Sequence, residues 1–433
     1  MPELFLAGGT VLDATGSRRA HVRVIDGLVV ETGEGIGAGA GAQVLDASGG
    51  VVCPGLVDLH THLRQPGNEE AETVESGSRA GALGGYTALV AMPNTDPPID
   101  SAAVVRQILE LGRASLCEVA VAGAITVGRA GERLAPLAEM AEMGVRLFTD
   151  DGAGVQDGRL MRRALEYALP LGVTLAQHCE DAALAAGSVM NEGEWSSRLG
   201  LPGQPAEAEE LMVMRDIALA RMTGGRLHFL HLSTAGSVAM VGAAKAQGLA
   251  ITAEATPHHL ALTESCLSGY DPNFKVNPPL RTDRDRAAVR RGLADGIIDA
   301  IATDHAPHTQ EAKEMPLDQA PPGMVGLETA LAVAHTELCA GEGPLMPLAD
   351  LVAAMTWRPA AIAGLHARHG GPIEAGRPAN LCVFDPTARW RVDPEAMASR
   401  SRNSPFRGRE LTGRIRHTIR AGQPVVIDGQ AQR

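Results

Sequence analysis

The stretch GLVDLHTHLRQPG, Gly55–Gly67, decides how the rest of the chain is read. Its first half, GLVDLH, is an apolar run of strand length that ends in a histidine, with a second histidine two residues on. Successive side chains of a strand alternate faces, so His60 and His62 point the same way, and Arg64 follows them if the strand geometry persists. Two imidazoles aimed together make half a metal site.

Outward from this strand the same texture repeats. Seven further apolar runs follow: YTALVAM near 86–92, CEVAVAGA near 117–124, VRLF near 145–148, GVTLAQH near 172–178, RLHFLH near 226–231, AITAEA near 250–255 and IIDAIATD near 297–304. Amphipathic stretches fill the gaps, among them AEAEELMVMRDIALARM from Ala206 to Met222 and VGLETALAVAHTEL from Val325 to Leu338. Eight strand-then-helix units predict an α/β fold, a closed (β/α)8 TIM-like barrel over residues 55–365, with its chemistry at the C-terminal strand ends. The flanking segments, 1–54 and 366–433, read instead as short strands between turns, as in LFLAGGTVLD, HVRVIDGLVVETG, ANLCVFD and IRHTIRAGQPVVIDG. They are predicted to pair into a small β-sandwich built from the N- and C-terminal segments.

Bulk properties narrow the function. With 45% hydrophobic residues in 433, the chain has ample material for a packed core. A formal net charge of −13 argues against a nucleic-acid partner and against an anionic membrane surface, since both need a basic patch. An anionic small-molecule substrate would therefore have to be held by local arginines. The six cysteines lie far apart with no CxxC pair, which fits reduced thiols in a cytoplasm. No signal segment and no membrane-spanning apolar run is apparent, so the chain is expected to be soluble and cytoplasmic.

The barrel reading makes a test possible, because polar residues that finish strands are in the catalytic position. His60 and His62 finish the first strand, Asp150 and Asp151 follow the fourth, His178 and His231 end the fifth and sixth, and Asp304 ends the eighth. One strand-end histidine alone is more often a hydrogen-bonded structural residue. Five strand ends sharing one chemistry are the ligand set for one or two divalent ions, and zinc best suits mixed nitrogen and oxygen donors. His258 and His259 lie near the mouth and are read as packing or supporting groups, while His21, His228, His335, His366, His369 and His417 are read as ordinary surface or core residues.

The motifs DLHTHLRQPG, MPNTDPP, FTDDG, QHCED, LHLSTAGS, KVNPPLR and ATDHAPH, in this order over residues 58–308, resemble the dihydroorotases of the amidohydrolase superfamily, and within them the bacterial type I branch. AGGTVLD at the start and IEAGRPANLCVFD near the end are similar to the superfamily's sandwich, so the resemblance covers nearly the whole chain. It implies reversible cyclisation of N-carbamoyl-L-aspartate to L-dihydroorotate in pyrimidine synthesis. It further implies that His60, His62 and Asp304 hold one zinc ion and that His178 and His231 hold a second. Many relatives bridge the two ions with a carboxylated lysine after the fourth strand. This chain's only lysines are Lys245, Lys275 and Lys313, so the resemblance points to Asp151 as the bridge, with Asp150 supporting the turn.

By the same resemblance Asp304 is general base and then general acid. Arg64, Asn94 and His308 contact the substrate carboxylate beside the metal ligand His62, and Asn277 with the backbone of Pro322 and Gly323 reads the amide edge of the ring. Pro322 stands where type I relatives more often have an aromatic residue, and it has no N–H to offer. The polar run from His308 to Pro322 reads either as a lid or as a solvated connector, leading to a helix that starts near Val325. A homodimer and an aspartate transcarbamoylase complex are the partners the family suggests. The competing readings are a hydantoinase or allantoinase, which usually carries the lysine, and a non-catalytic homologue that scaffolds the transcarbamoylase, which typically lacks metal ligands.

Overall fold

The apolar runs form eight short strands: β1 Leu56–Thr61, β2 Tyr86–Ala91, β3 Glu118–Gly123, β4 Leu147–Thr149, β5 Thr174–Gln177, β6 Leu227–Phe229, β7 Ile251–Ala255 and β8 Ala300–Ile301. They are described from a computed structural model covering residues 3–341 and 343–432. Each strand pairs in parallel with the next in chain order. Parallel neighbours need a crossover, and a helix supplies it, as in Gly158–Leu171 between β4 and β5. That helix starts where the Asp157 side chain accepts the Arg159 and Leu160 N–H groups and stops at Gly172, whose φ of +65° ends the turn.

Strand alternation sorts the core into two layers. Val57, Leu59, Ala88, Val90, Ala122, Leu147, Ala176 and Ala300 form one cluster of mostly small side chains. The alternate residues Leu89, Val121, Phe148, Leu175, Phe229 and Ala253 join a larger cluster with helix residues such as Ile108, Met161, Val213 and Leu293. The barrel closes between β8 and β1 mainly through side chains. Asp58 accepts the Thr303 N–H at 2.8 Å and the Thr303 hydroxyl at 2.6 Å, and the His62 N–H donates to the His305 carbonyl at 2.9 Å.

The two ends of the chain share a sheet. Its order is 430–431, 423–427, 410–420, 381–391, 51–54, 10–13 and 16–19, and a second, four-stranded sheet runs 28–33, 21–25, 4–7, 43–46. Val52, Leu381 and Val383 pack with Leu6, Val22 and Val24 between the sheets, whereas Cys53, Cys382 and Phe384 turn to the barrel's large cluster. One sheet thus serves as sandwich wall and as barrel neighbour. All six cysteines are free, and no helix among the described residues is long and apolar enough to cross a membrane.

Three boundaries differ from the sequence reading. The eighth run yields only Ala300–Ile301, because the Ile297 and Ile298 N–H groups still close the preceding helix on the Gly292 carbonyl and Thr303 is taken by Asp58. The helix predicted from Val325 begins at Ala330, since the Val325 N–H donates to Asn403 and the Gly326 N–H to the His305 ring. β1 stops at Thr61 with its register broken between Asp58 and Thr61, so strand geometry does not carry on to Arg64.

Candidate active site

The broken register at the end of β1 brings His60 and His62 to one point without a regular strand between them. His60 Nε2 lies 3.4 Å from Asp151 and 3.5 Å from Asp304, and His62 Nε2 lies 3.0 Å from Asp304 and 3.6 Å from Asp151. On the other side of Asp151, His178 Nδ1 stands at 3.4 Å and His231 Nε2 at 3.7 Å, with the two rings' nitrogens 2.9 Å apart. Two ligand-competent groups result, His60–His62–Asp151 and Asp151–His178–His231, with all donor atoms of each within 4.8 Å of one another. Asp151 belongs to both.

A divalent ion fits this donor set. Every contributing residue is buried, and His60 Nε2 is a buried nitrogen with no hydrogen-bond partner in the protein. Burial alone raises the carboxyl pKa values, but the surrounding imidazoles bring Asp151 well below the ordinary carboxylate range and Asp304 below it too. Burial works against the charged His60 ring, and Asp151 and Asp304 more than offset it. Negative carboxylates and electron-pair donors therefore converge where a cation is wanted.

Asp150 turns the other way. It accepts the Ile125 and Thr126 N–H groups at 2.8 and 3.0 Å and the Thr126 hydroxyl, tying the end of β4 to the loop after β3. His258 and His259 lie behind the site with their ring centroids 4.6 Å apart and their planes tilted by 51°, His259 bonded to Thr256 and to the Pro278 carbonyl.

A cavity of about 210 Å³ opens onto this centre. It is lined by His62, Asp151, His178, His231 and Asp304 and by all the residues assigned to substrate, Arg64, Asn94, Asn277, His308, Pro322 and Gly323. Their free valences differ. The Arg64 Nε–H donates to the Pro307 carbonyl at 3.1 Å, and its terminal nitrogens have no partner among the described residues. Asn94 is engaged at both ends, its Oδ1 accepting from His62 Nδ1 at 2.8 Å and its Nδ2 donating to Asp151 at 3.3 Å. His308 gives its Nε2–H to the Pro322 carbonyl at 2.8 Å, and burial with the nearby Arg64 pushes its pKa down to about 3. A neutral ring bonded that way offers a lone pair, not a proton, to an anion. The Gly323 N–H is spent on the Lys275 carbonyl, and at φ +142° a Cβ there would meet the His308 ring at 2.8 Å.

Backbone strain collects here. Arg64, His231 and Asp304 have φ of +59°, +31° and +45°, in the region that side chains other than glycine's seldom occupy. The 308–322 segment is strapped down, with Lys313 Nζ donating to the Pro272 and Pro321 carbonyls at 2.8 and 2.9 Å and Lys275 Nζ to Leu317 at 2.7 Å.

Sequence reading passed over several residues that touch the site. Glu254 meets His60 Nδ1 at 2.8 Å, and the alternation of ITAEA, which buries a carboxylate inside an apolar strand, was its signal. Glu180, in the QHCED motif, lies 3.8 Å from His178 Nε2 and accepts from Gln204. Asn403 had no signal at all. From the C-terminal segment its side chain accepts the His308 N–H and donates to the Ala306 and Gly323 carbonyls.

Known proteins share this sequence and fold. A family described as Dihydro-orotase-like matches residues 49–237. The dihydroorotase of Pelotomaculum thermopropionicum is 50% identical over 428 residues, covering 98% of this chain and 99% of that protein. The dihydroorotase of Streptomyces coelicolor is 50% identical over 411 residues, 94% and 95% of the two chains. Among solved structures, the L-hydantoinase (dihydropyrimidinase) of Arthrobacter aurescens superposes with a TM-score of 0.89 at 25% identity, covering 100% of this chain and 98% of that one.

Proposed function

The chain belongs to the dihydroorotase family, and from that membership we infer that it is a cyclic amide hydrolase that interconverts N-carbamoyl-L-aspartate and L-dihydroorotate in pyrimidine biosynthesis. One observation carries the reading: a buried-site arginine with free terminal nitrogens lines the same cavity as a carboxylate shared by two pairs of imidazoles. Dihydroorotate offers the matching pair of features, a carboxylate and a hydrolysable amide.

His60 and His62, with Asp304 beside them, would hold one zinc ion and His178 and His231 another, with Asp151 shared by the two groups; the chain's three lysines all lie elsewhere in the sequence. When bound, zinc supplies Lewis acidity, lowering the pKa of water toward ~7 and drawing electron density from the amide carbonyl. The remaining work falls to side chains. Arg64 binds the substrate carboxylate through a forked pair of N–H donors. Asn94 and His308 can join only by exchanging the bonds they already make, so Arg64 dominates recognition. Asn277 and Pro322 line the same cavity, where the Asn277 side chain and the Pro322 carbonyl would read the ring's amide edge. In hydrolysis, water oxygen bonds to the amide carbon, Asp304 takes its proton, the C–N bond breaks, and Asp304 returns the proton to the leaving nitrogen. Cyclisation runs the same steps backward.

The free cysteines support action in a reducing cytoplasm. A homodimer and an aspartate transcarbamoylase partner rest on family resemblance. Comparing steady-state turnover of L-dihydroorotate, hydantoin and allantoin by the zinc-loaded chain tests the assignment. Dihydroorotate should be the preferred substrate by a wide margin. Preference for hydantoin or allantoin would reassign the enzyme, and no turnover of any would favour a scaffolding homologue.

A further inference from the structure

Behind the candidate metal centre a line of polar side chains crosses the barrel interior without touching the cavity. Strand register sets it there. Glu254 on β7 pairs with Ala300, and His228 on β6 pairs with Ala176 and with Thr252 of β7; both alanines belong to the small inner cluster of the barrel. Glu254 Oε1 lies 2.8 Å from His60 Nδ1, and its Oε2 lies 3.0 Å from His228 Nε2. His228 Nδ1 in turn lies 2.8 Å from the Thr252 hydroxyl. Glu254, His228 and His60 are all at 0% exposure, so bulk solvent does not reach them.

A zinc-binding His60 must keep one ring nitrogen unprotonated, and hydrogen-bond accounting then leaves one arrangement for that ring. An ionised carboxylate only accepts, so both imidazoles must donate to Glu254. A neutral His228 then carries its proton on Nε2, and its Nδ1 accepts from the Thr252 hydroxyl. His60 carries its proton on Nδ1, which leaves Nε2 as a bare lone pair. That nitrogen is the one with no hydrogen-bond partner, 3.4 Å from Asp151 and 3.5 Å from Asp304. The rotatable Thr252 hydroxyl is the one member able to adapt, and it sits at the far end.

We propose that Glu254 and His228 are positioning residues that fix the tautomer and the aim of His60, with Thr252 closing the chain of donors and acceptors. This rests on His60 being a zinc ligand. A purely structural role for the three would affect stability and leave zinc affinity alone; a positioning role makes zinc affinity follow the donor pattern.

The test measures zinc affinity of the full chain by chelator competition. Glu254→Gln keeps the size but puts an N–H against one of the imidazoles, and it should weaken zinc binding by about tenfold to a hundredfold, the range typical of groups that orient metal ligands. His228→Leu should do the same. His228→Gln keeps an N–H donor toward Glu254 and should recover most of the affinity that His228→Leu loses. Nitrogen-15 NMR of the zinc-loaded wild-type chain needs no variant to fold, and it should show His60 bound through Nε2 with a proton on Nδ1. Wild-type zinc affinity in Glu254→Gln, equal losses in the two His228 variants, or coordination through Nδ1 would overturn the proposal. A His60→Ala chain that keeps its full zinc content would instead overturn the metal reading on which it rests.

Discussion

Arg64 is where substrate identity turns on one side chain. Its terminal nitrogens are uncommitted, while Asn94 and His308 are already bonded, so the proposed function gives the guanidinium most of the grip on the substrate carboxylate. Arg64→Met keeps much of the bulk and removes the charge. Losing a charged hydrogen bond costs roughly 1.5–3 kcal/mol, so kcat/KM for dihydroorotate should fall about tenfold to a hundredfold with zinc content unchanged. Dihydrouracil lacks the carboxylate, and its slow turnover should hardly respond; equal losses would make Arg64 a support of the fold. Asp150 and Asp151 divide in a comparable way. Asp151→Ala should lose most activity and zinc, whereas Asp150→Ala should cost stability, about 1–3 kcal/mol for the donors of Ile125 and Thr126 left unpaired. Added bicarbonate should change neither. Thermal unfolding and zinc content measured on both variants separate the two roles. The TDDG motif announced a carboxylate at this strand end but not which one, because adjacent residues at the end of a strand are told apart only by what each one meets.

At the scale of elements, the mouth of the barrel is assembled from pieces distant in sequence. The run from His308 to Pro322 left open a lid or a connector, and Lys275 and Lys313 fasten it to its surroundings through main-chain carbonyls. Asn403 does the same for the segments either side of it, holding His308, Ala306 and Gly323 together. Asn403→Asp keeps the acceptor for the His308 N–H and removes both donors. KM for dihydroorotate should rise and stability fall by about 1–3 kcal/mol, with zinc retained; an unchanged KM would detach Asn403 from the substrate wall. The strands themselves were legible because buried β-branched and apolar runs of that length have few alternatives. Less legible were the short β8 and the late helix start at Ala330, since both depend on groups that arrive from elsewhere in the chain, the Asp58 and His305 side chains and the Asn403 main-chain carbonyl. Glu254 was legible in principle, as a lone acid in a buried strand, and His228 was not, because a histidine in a strand has no fixed partner until the barrel closes.

For the whole molecule, the barrel gathers the candidate ligands from five strand ends, and the shared terminal sheet fixes the C-terminal segment against the mouth from outside. Cys53, Cys382 and Phe384 on one face of that sheet pack with the barrel, and Val52, Leu381 and Val383 on the other face pack within the sandwich. The most direct test is the rate at which the purified full chain converts L-dihydroorotate, followed first as a chelator removes its metal and then as zinc is returned. The rate should fall to background as the metal leaves and recover with added zinc, reaching its limit when the groups around Asp151 are filled. Undiminished conversion by the metal-free chain, or a zinc-restored chain that leaves dihydroorotate untouched, would contradict the account.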